Sequence, residues 1–519
     1  MKINFKNILN LGLAVILLAS GCKKNELEEV EPTFARTFSA SALKVTVLSK
    51  VNALFSWDKS SNAKSYTIEL FETADFSGTP KRTVAGISGT ALQYTVTGLE
   101  GDTKYYARLK AIGTETTGDS NWKTIEFSTD PEQLLNAVDP ANIKSTSVTI
   151  TWPAATVATS LVFTPGNITH TLTATEIANG SATVTGLTPE TTYTVKLINL
   201  AKTKGTISFK SGLNLNGYTE ISNDAELAAA LLASGPQRLA LYGGTYTLTG
   251  NIVVDRNITI TAADPARKPV LVGAVFKVSN SAALTLSGLV LNGNATTSNM
   301  VEYPTANPAL TGALVITGSE IYNYTKGLVY IAVACVVESV TINNNIIRDM
   351  SCTGASLIDY RNATGGFAKI TDINNNTFYN ITTADAQRDL IRIDNVTSFP
   401  AHTGNVLKIE RNTFNNVLSY ANSRYLYARL TSLGITVNNN IIANSLAYYS
   451  DQSSTTIAQI SGNNYFNAAS FYDITKRKFD AAGNYTTLDP AFLNVASGNF
   501  TVGNELLKAS KTGDPRWIK

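Results

Sequence analysis

Aspartate, arginine and tyrosine recur at a fixed offset from apolar residues in three short stretches of this 519-residue chain. They read Ile358-Asp359-Tyr360-Arg361, Ile391-Arg392-Ile393-Asp394 and Leu426-Tyr427-Ala428-Arg429. With Ile358, Ile391 and Leu426 as equivalent inward residues, period-two alternation sends Asp359, Arg361, Arg392, Asp394, Tyr427 and Arg429 outward on one face. Stacked strands would then carry two columns, Asp359, Arg392, Tyr427 and Arg361, Asp394, Arg429. Guanidinium forks bind carboxylates bidentately, and a tyrosine ring offers a stacking face to a pyranose, so such a grid suits an acidic sugar. Arg388, Asp389, Lys369 and Lys408 could extend it. The alternative is an ion-pair ladder on a solvated sheet, which contributes little to stability.

A repeat must position these columns, and the asparagines supply one. Asn343-Asn344-Asn345-Ile346-Ile347 is echoed by Asn374-Asn375-Asn376-Thr377-Phe378, Glu410-Arg411-Asn412-Thr413-Phe414, Asn438-Asn439-Asn440-Ile441-Ile442 and Gly462-Asn463-Asn464-Tyr465-Phe466. Anchored on the last residue of each, the copies lie 31, 36, 28 and 24 residues apart. Weaker copies precede them, Leu284-Thr285-Leu286 to Leu291 and Leu314-Val315-Ile316 to Ile321. Periods of this size mean a solenoid, propeller or array. The alternating β-branched and aromatic residues, such as Val340, Ile342 or Leu407, Ile409, make each unit from strands and exclude helical repeats. One coil of a parallel β-helix fits the period better than a four-stranded propeller blade. Stacking would align the amides into a ladder, with Asn345, Asn376, Asn412, Asn440 and Asn464 expected at one corner.

Length bounds the chain at about three domains. It is 44% hydrophobic and 16% charged, a globular balance without a disorder signature. Without Lys2 and Lys6, 40 basic residues face 39 acidic ones, which gives no argument for nucleic acid or for general attraction to a polyanion. Lys2 and Lys6 precede an apolar run from Ile8 to Ala19 that is too short to span a bilayer but suits a signal peptide. The run ends in Leu18-Ala19-Ser20-Gly21-Cys22, which resembles a bacterial lipobox with Ala19 where Leu is usual, so Cys22 is expected to be acylated. Lys23-Lys24-Asn25-Glu26-Leu27-Glu28-Glu29 resembles the acidic tethers of Bacteroidetes lipoproteins displayed on the outer face of the outer membrane. Cys335 and Cys352 sit in apolar strand text and are expected as buried free thiols. His170 and His402 are the only histidines, which argues against a histidine-ligated zinc or a histidine-activated triad.

Two segments precede the solenoid. In the first, Trp57 lies in an apolar strand, Tyr66-Thr67-Ile68-Glu69-Leu70 alternates, and Val96-Thr97-Gly98-Leu99 leads to Tyr105 six residues on. The second repeats the plan with Trp152, Val184-Thr185-Gly186-Leu187 and Tyr193. Both resemble fibronectin type III modules, in which that tyrosine makes the corner hydrogen bond. From about Tyr218, Ser222-Asn223-Asp224-Ala225-Glu226-Leu227 marks a capped helix through Leu232, and Arg238 to Tyr246 forms the first strand and turn. This opening resembles pectate-lyase-like and chondroitinase-type β-helix proteins, and a helix there would cover the open end of the stack. The far end, Asp489-Pro490-Ala491-Phe492 through Gly513-Asp514-Pro515-Arg516-Trp517, resembles the closing segment of right-handed β-helix proteins. The stretch from 213 onward resembles a pair of Bacteroidetes domains of unknown function that follow fibronectin modules in polysaccharide-utilisation lipoproteins.

The expected organisation is therefore all-β. It comprises a signal peptide (1–21), an acylated Cys22 with its tether (22–37), a fibronectin type III module (38–130), a second such module (131–212) and a right-handed parallel β-helix (213–519). Within the β-helix, the cap and first coils run over 213–310 and the Asn-ladder coils and C-terminal cap over 311–519. The resemblance implies an outer-membrane, lipid-anchored protein facing the cell exterior. Its expected role is to bind an acidic, pectic polysaccharide for capture, with an outer-membrane glycan importer as a partner and no nucleic acid. It equally implies an alternative, a polysaccharide lyase using Ca²⁺ to neutralise the uronate and Lys369, Lys408 or Arg392 as base, lysine being the easier to deprotonate. No contiguous lyase, polygalacturonase or pectin methylesterase string occurs in the chain. A non-catalytic binder is therefore expected ahead of the lyase, and a structural adhesin stands third.

Overall fold

The computed structural model describes residues 35–114, 116–248, 250–361, 365–381, 388–394, 404–430 and 432–519. Cys22, the signal segment and His402 lie outside the described residues. The described chain falls into two compact units, with segments 138–149 and 183–192 belonging to the unit that holds the C-terminal region.

Antiparallel strands build the N-terminal region. The first module pairs a three-stranded sheet (Lys44–Leu48, Asn52–Ser56, Gln93–Val96) with a four-stranded one (Arg82–Ser88, Ser65–Phe71, Lys104–Ile112, Lys123–Ser128). Alternation in Ser65–Phe71 and Lys104–Ile112 buries Tyr66, Ile68, Leu70, Tyr105, Ala107 and Leu109. Trp57 packs edge-on to Tyr66 at 5.1 Å between ring centroids. The Tyr105 hydroxyl accepts the Glu100 N–H at 3.1 Å, so the tyrosine six residues after Leu99 makes the expected corner bond. The second module holds a four-stranded sheet ordered Ile168–Thr171, Ser160–Thr164, Thr192–Asn199, Lys202–Lys210, and a strand pair of Ser181–Thr185 with Ser147–Thr151.

Three parallel sheets form the C-terminal region, and the chain visits them in rotation, which is the path of a parallel β-helix. The first sheet runs from Thr219–Ile221 to Ile457–Ser461, the second from Thr245–Thr247 to Asn464–Phe466 and the third from Asn251–Val254 to Arg424–Ala428. Inward residues stack coil upon coil. In the first sheet the column reads Leu239, Ile260, Leu286, Ile316, Ile342, Ile373, Ile409, Val437. In the second it reads Leu271, Leu291, Ile321, Ile347, Phe378, Phe414, Ile442, Tyr465. All are buried in one continuous core, where Phe378 and Phe414 stack at 4.8 Å. The last repeat therefore ends in phase on Tyr465, one residue before the anchor read from sequence.

The corner between the first and second sheets holds the amide ladder. Each side chain accepts the N–H of its predecessor and a side-chain proton: Asn376 Oδ1 takes the Asn345 N–H at 2.9 Å and its Nδ2 at 3.0 Å. The series continues through Asn412 and Asn440 to Asn463, whose Oδ1 accepts from Asn440 at 2.9 and 3.0 Å. The expected Asn464 is not a rung: it lies in the following strand opposite Ile441 and binds the Leu488 backbone. Phase is set by the left-handed residue just before each rung, namely Asn344, Asn375, Arg411, Asn439 and then Gly462 at φ 63°. Glycine serves that position without a steric penalty, which shifts the final copy by one residue.

Two segments outside the coils pack on the stack. The helix Asp224–Leu232, capped by Asn223 accepting from Glu226 N–H, inserts Leu227 into the core. The C-terminal segment lies on the outer face of the second sheet. Thr377 Oγ1 donates to Asp514 at 2.7 Å and accepts from Trp517 Nε1 at 2.6 Å, while the Asp514 N–H reaches Thr413 Oγ1 at 3.0 Å. Cys335 and Cys352 are buried free thiols.

Candidate functional site

The third sheet brings the grid together in the register read from sequence. Asp359 pairs with Arg392 and Arg392 with Tyr427 in adjacent strands, and the inward partners Ile358, Ile391 and Leu426 stack beneath. Backbone bonds from Arg361 N to Ile331 O, Asp394 N to Tyr360 O and Arg429 N to Ile393 O carry the second column past the strand ends.

The face is less solvated than alternation alone implies. Asp359 is fully buried, and its carboxylate is held by Arg361 at 2.5 and 3.2 Å and by the Ser356 N–H at 3.1 Å. Arg361 also donates to Gly354 O, while Asp394, itself buried, accepts from Arg392 Nε at 3.2 Å. Arg424, three residues before Tyr427, joins the cluster by bridging Asp389 at 2.6 Å and Asp451 at 2.8 Å. Burial pushes the Asp389 carboxyl up, against the pull of Arg424 and Arg392. Burial also works against ionisation of Asp451, but hydrogen bonds from Arg424 and Gln452 bring it below the ordinary carboxylate range.

Three guanidinium carbons surround one ring: Arg392, Arg424 and Arg429 lie 4.8, 4.7 and 5.9 Å from the Tyr427 centroid. Tyr427 therefore gathers cations rather than presenting a bare face. Its hydroxyl accepts from Arg429 Nη1 at 3.3 Å. Arg429 is exposed and, among the described residues, has no carboxylate partner, whereas Arg361, Arg392 and Arg424 are each paired.

Arg388 adjoins the cluster through its backbone, its carbonyl accepting the Arg424 N–H and its own N–H reaching Ser423 Oγ. Lys369 and Lys408 do not extend the grid. They belong to strands Gly366–Asn374 and Asn405–Glu410 of the first sheet, Lys408 standing opposite Asp372. The grid stands on the third sheet and the two lysines on the first, so sequence proximity does not carry over to the same face. Among the described residues no group of three or more His, Cys, Asp or Glu side chains is placed to hold a metal ion. The cluster carboxylates Asp359, Asp389, Asp394 and Asp451 are each engaged by a guanidinium. A set of donors so neutralised does not fit a hard cation such as Ca²⁺.

Several residues of this face were not singled out from sequence. Counting back through the register, Asp359 is preceded by Tyr330, Glu302 and Lys277 in the same column. Glu302 is bound by Lys277 and by Asn299 at 3.0 Å. The triplets Val301-Glu302-Tyr303 and Val329-Tyr330-Ile331 repeat the inward-outward-inward pattern of Ile358-Asp359-Tyr360, and that signal could have found them.

Fold and site together define an all-β protein with fibronectin type III-like sandwiches and a parallel β-helix that bears an arginine–tyrosine cluster. Two family models match within the β-helix: one described as "Domain of unknown function (DUF4957)" over residues 244–381 and one as "Domain of unknown function (DUF5123)" over 407–517. Comparison with curated proteins finds no significant match. Among solved structures, a two-domain fibronectin type III segment of chicken tenascin is 19% identical, covering 33% of this chain and 99% of that one at a TM-score of 0.25. The central fibronectin III array of RIM-binding protein is 18% identical over 37% of this chain and 66% of that chain, TM-score 0.15. The FN1–FN3 domains of chicken CNTN1 are 13% identical over 34% and 66%, TM-score 0.16.

Proposed function

We propose that this chain is a surface lipoprotein of a Bacteroidetes polysaccharide-utilisation system, anchored through Cys22. In this reading its β-helix captures an acidic, pectic polysaccharide for delivery to an outer-membrane importer. The sandwiches then act as spacers. The observation that carries the binding role is Arg429, an exposed guanidinium held against Tyr427 with no carboxylate partner among the described residues. A uronate carboxylate would supply the missing partner, and the neighbouring paired arginines would orient it without drawing in anions at large. Capture ranks above lysis because the cluster carboxylates are each bound by arginine, while Lys369 and Lys408 sit on another sheet.

Affinity electrophoresis in gels containing polygalacturonate tests this reading. Retardation by the uronate polymer, weakened by salt and absent with a neutral glucan, is expected. Equal migration in all gels would remove the binding role. Unsaturated oligouronides released by purified protein in the presence of Ca²⁺, seen by ultraviolet absorbance, would replace it with the lyase. For the anchor, Cys22→Ser should move the protein to the soluble fraction, and a membrane-bound Cys22→Ser chain would exclude lipid anchoring through that residue.

A further inference from the structure

We propose that Tyr330, not Tyr427, is the sugar-stacking platform of this face, and that with Arg361 it forms a uronate-binding subsite separate from Arg429. The inference rests on the acidic-polysaccharide reading above.

Tyr330 stands in the same outward column as Asp359, Arg392 and Tyr427, one coil before Asp359. Its strand neighbours Val329 and Ile331 are fully buried, so the ring is carried on a rigid strand with its side chain on the outer face. The two tyrosines differ in what surrounds them. Three guanidiniums claim the Tyr427 ring, whereas among the described residues no ring or cation is placed against Tyr330, which is half-buried. The residues above and below Tyr330 are both acids, yet neither is free. Glu302 is neutralised by Lys277, and Asp359 by Arg361. An apolar ring face between two closed ion pairs meets the carbon–hydrogen face of a pyranose without opposing an acidic sugar.

Arg361 supplies the polar half. Its Nε and Nη2 are spent on Asp359 and Gly354 O, but its Nη1 has no partner among the described residues. Its side chain is 37% exposed, more than that of Arg392 at 29% or Arg424 at 14%. Arg361 is tied to the same place: its backbone N–H binds Ile331 O, next to Tyr330, and its guanidinium grips Asp359, the register partner of Tyr330. A uronate ring laid on Tyr330 can therefore direct its carboxylate to Arg361 Nη1. Arg361 and Arg429 stand in one column with Asp394 between them, two coils apart, or about 9.6 Å at ~4.8 Å per rung. A disaccharide unit can bridge that span, so one chain would engage both sites.

The test is calorimetric titration of the full chain with a defined galacturonate hexamer. Tyr330→Ala should weaken binding by about tenfold or more, and Tyr330→Phe, which keeps the ring face, should bind like wild type. Both variants should retain the wild-type melting temperature, because the side chain is partly exposed and makes no hydrogen bond in the described structure. If Tyr330→Ala binds normally while Arg429→Ala does not, the inference is wrong and the acidic-polysaccharide reading stands. Equal loss in Tyr330→Phe and Tyr330→Ala would also overturn stacking, pointing to the hydroxyl instead. If the wild type ignores the hexamer, the underlying reading fails first and takes this subsite with it.

Discussion

Asn376 gives both its backbone N–H and its side-chain amide to one oxygen, Oδ1 of Asn412, each at 3.0 Å. Asn412 in turn donates to Ile373 O at 2.9 Å and to Asn440 Oδ1 at 3.0 Å. A single rung thus satisfies backbone groups of two coils. Asn412→Ala strands a buried N–H and a buried carbonyl, and should cost about 3 kcal/mol in chemical denaturation of the β-helix. A loss below about 1 kcal/mol would mean that water replaces the rung.

The repeat was legible because each of five successive coils spends two residues on one corner, a left-handed residue and then a buried amide, immediately before an apolar strand. It was misread by one residue where Gly462 replaces asparagine, and earlier coils use Gly288 and Gly318 at the same conformation. A second asparagine corner leaves no such mark in the sequence. Asn416 Nδ2 donates to Asn380 Oδ1 at 3.0 Å, and Asn467 Nδ2 to Asn444 Oδ1 at 3.0 Å, but these asparagines do not occur as triplets. The face of the grid was legible from alternation, which says where a side chain points. It does not say what covers that side chain, so the complete burial of Asp359 and the crowding of Tyr427 had no local signal.

Asp514 clamps the C-terminal segment, and burial raises its pKa despite the opposing pull of Arg516 and Thr377. A carboxyl whose folded value exceeds its unfolded value of about 3.9 binds more protons when folded. Its contribution is fully present below the unfolded value and is lost as pH rises through the folded one. Wild type should therefore gain on Asp514→Asn as pH falls from neutral toward about 4. Melting temperatures of the two proteins across that window provide the check, and parallel curves would contradict it.

Cys335 and Cys352 line the same core. Burial raises the Cys335 thiol and pushes Cys352 up to about 12. Since the thiolate is the reactive form, neither should take a maleimide in the native protein at mildly alkaline pH, and both should in denaturant. Mass spectrometry counts the adducts, and native labelling of either would mean that the coil opens readily.

Arg361 and Arg429 occupy the same column but differ in what their removal exposes. Arg429 is exposed and, among the described residues, its side chain contacts only Tyr427, so Arg429→Ala should leave the melting curve unchanged while reducing retention on polygalacturonate. Among the described residues, Arg361→Ala leaves the fully buried Asp359 with only the Ser356 N–H as partner. That should cost about 2 kcal/mol, less than for a wholly buried pair because the guanidinium is 37% exposed. Adding Asp359→Asn should restore much of the stability by removing the uncompensated charge, without restoring retention. Thermal denaturation and affinity gels on the three variants separate the two roles. If Arg361→Ala is as stable as wild type, Asp359 finds another partner, and the pair is not what holds this part of the sheet.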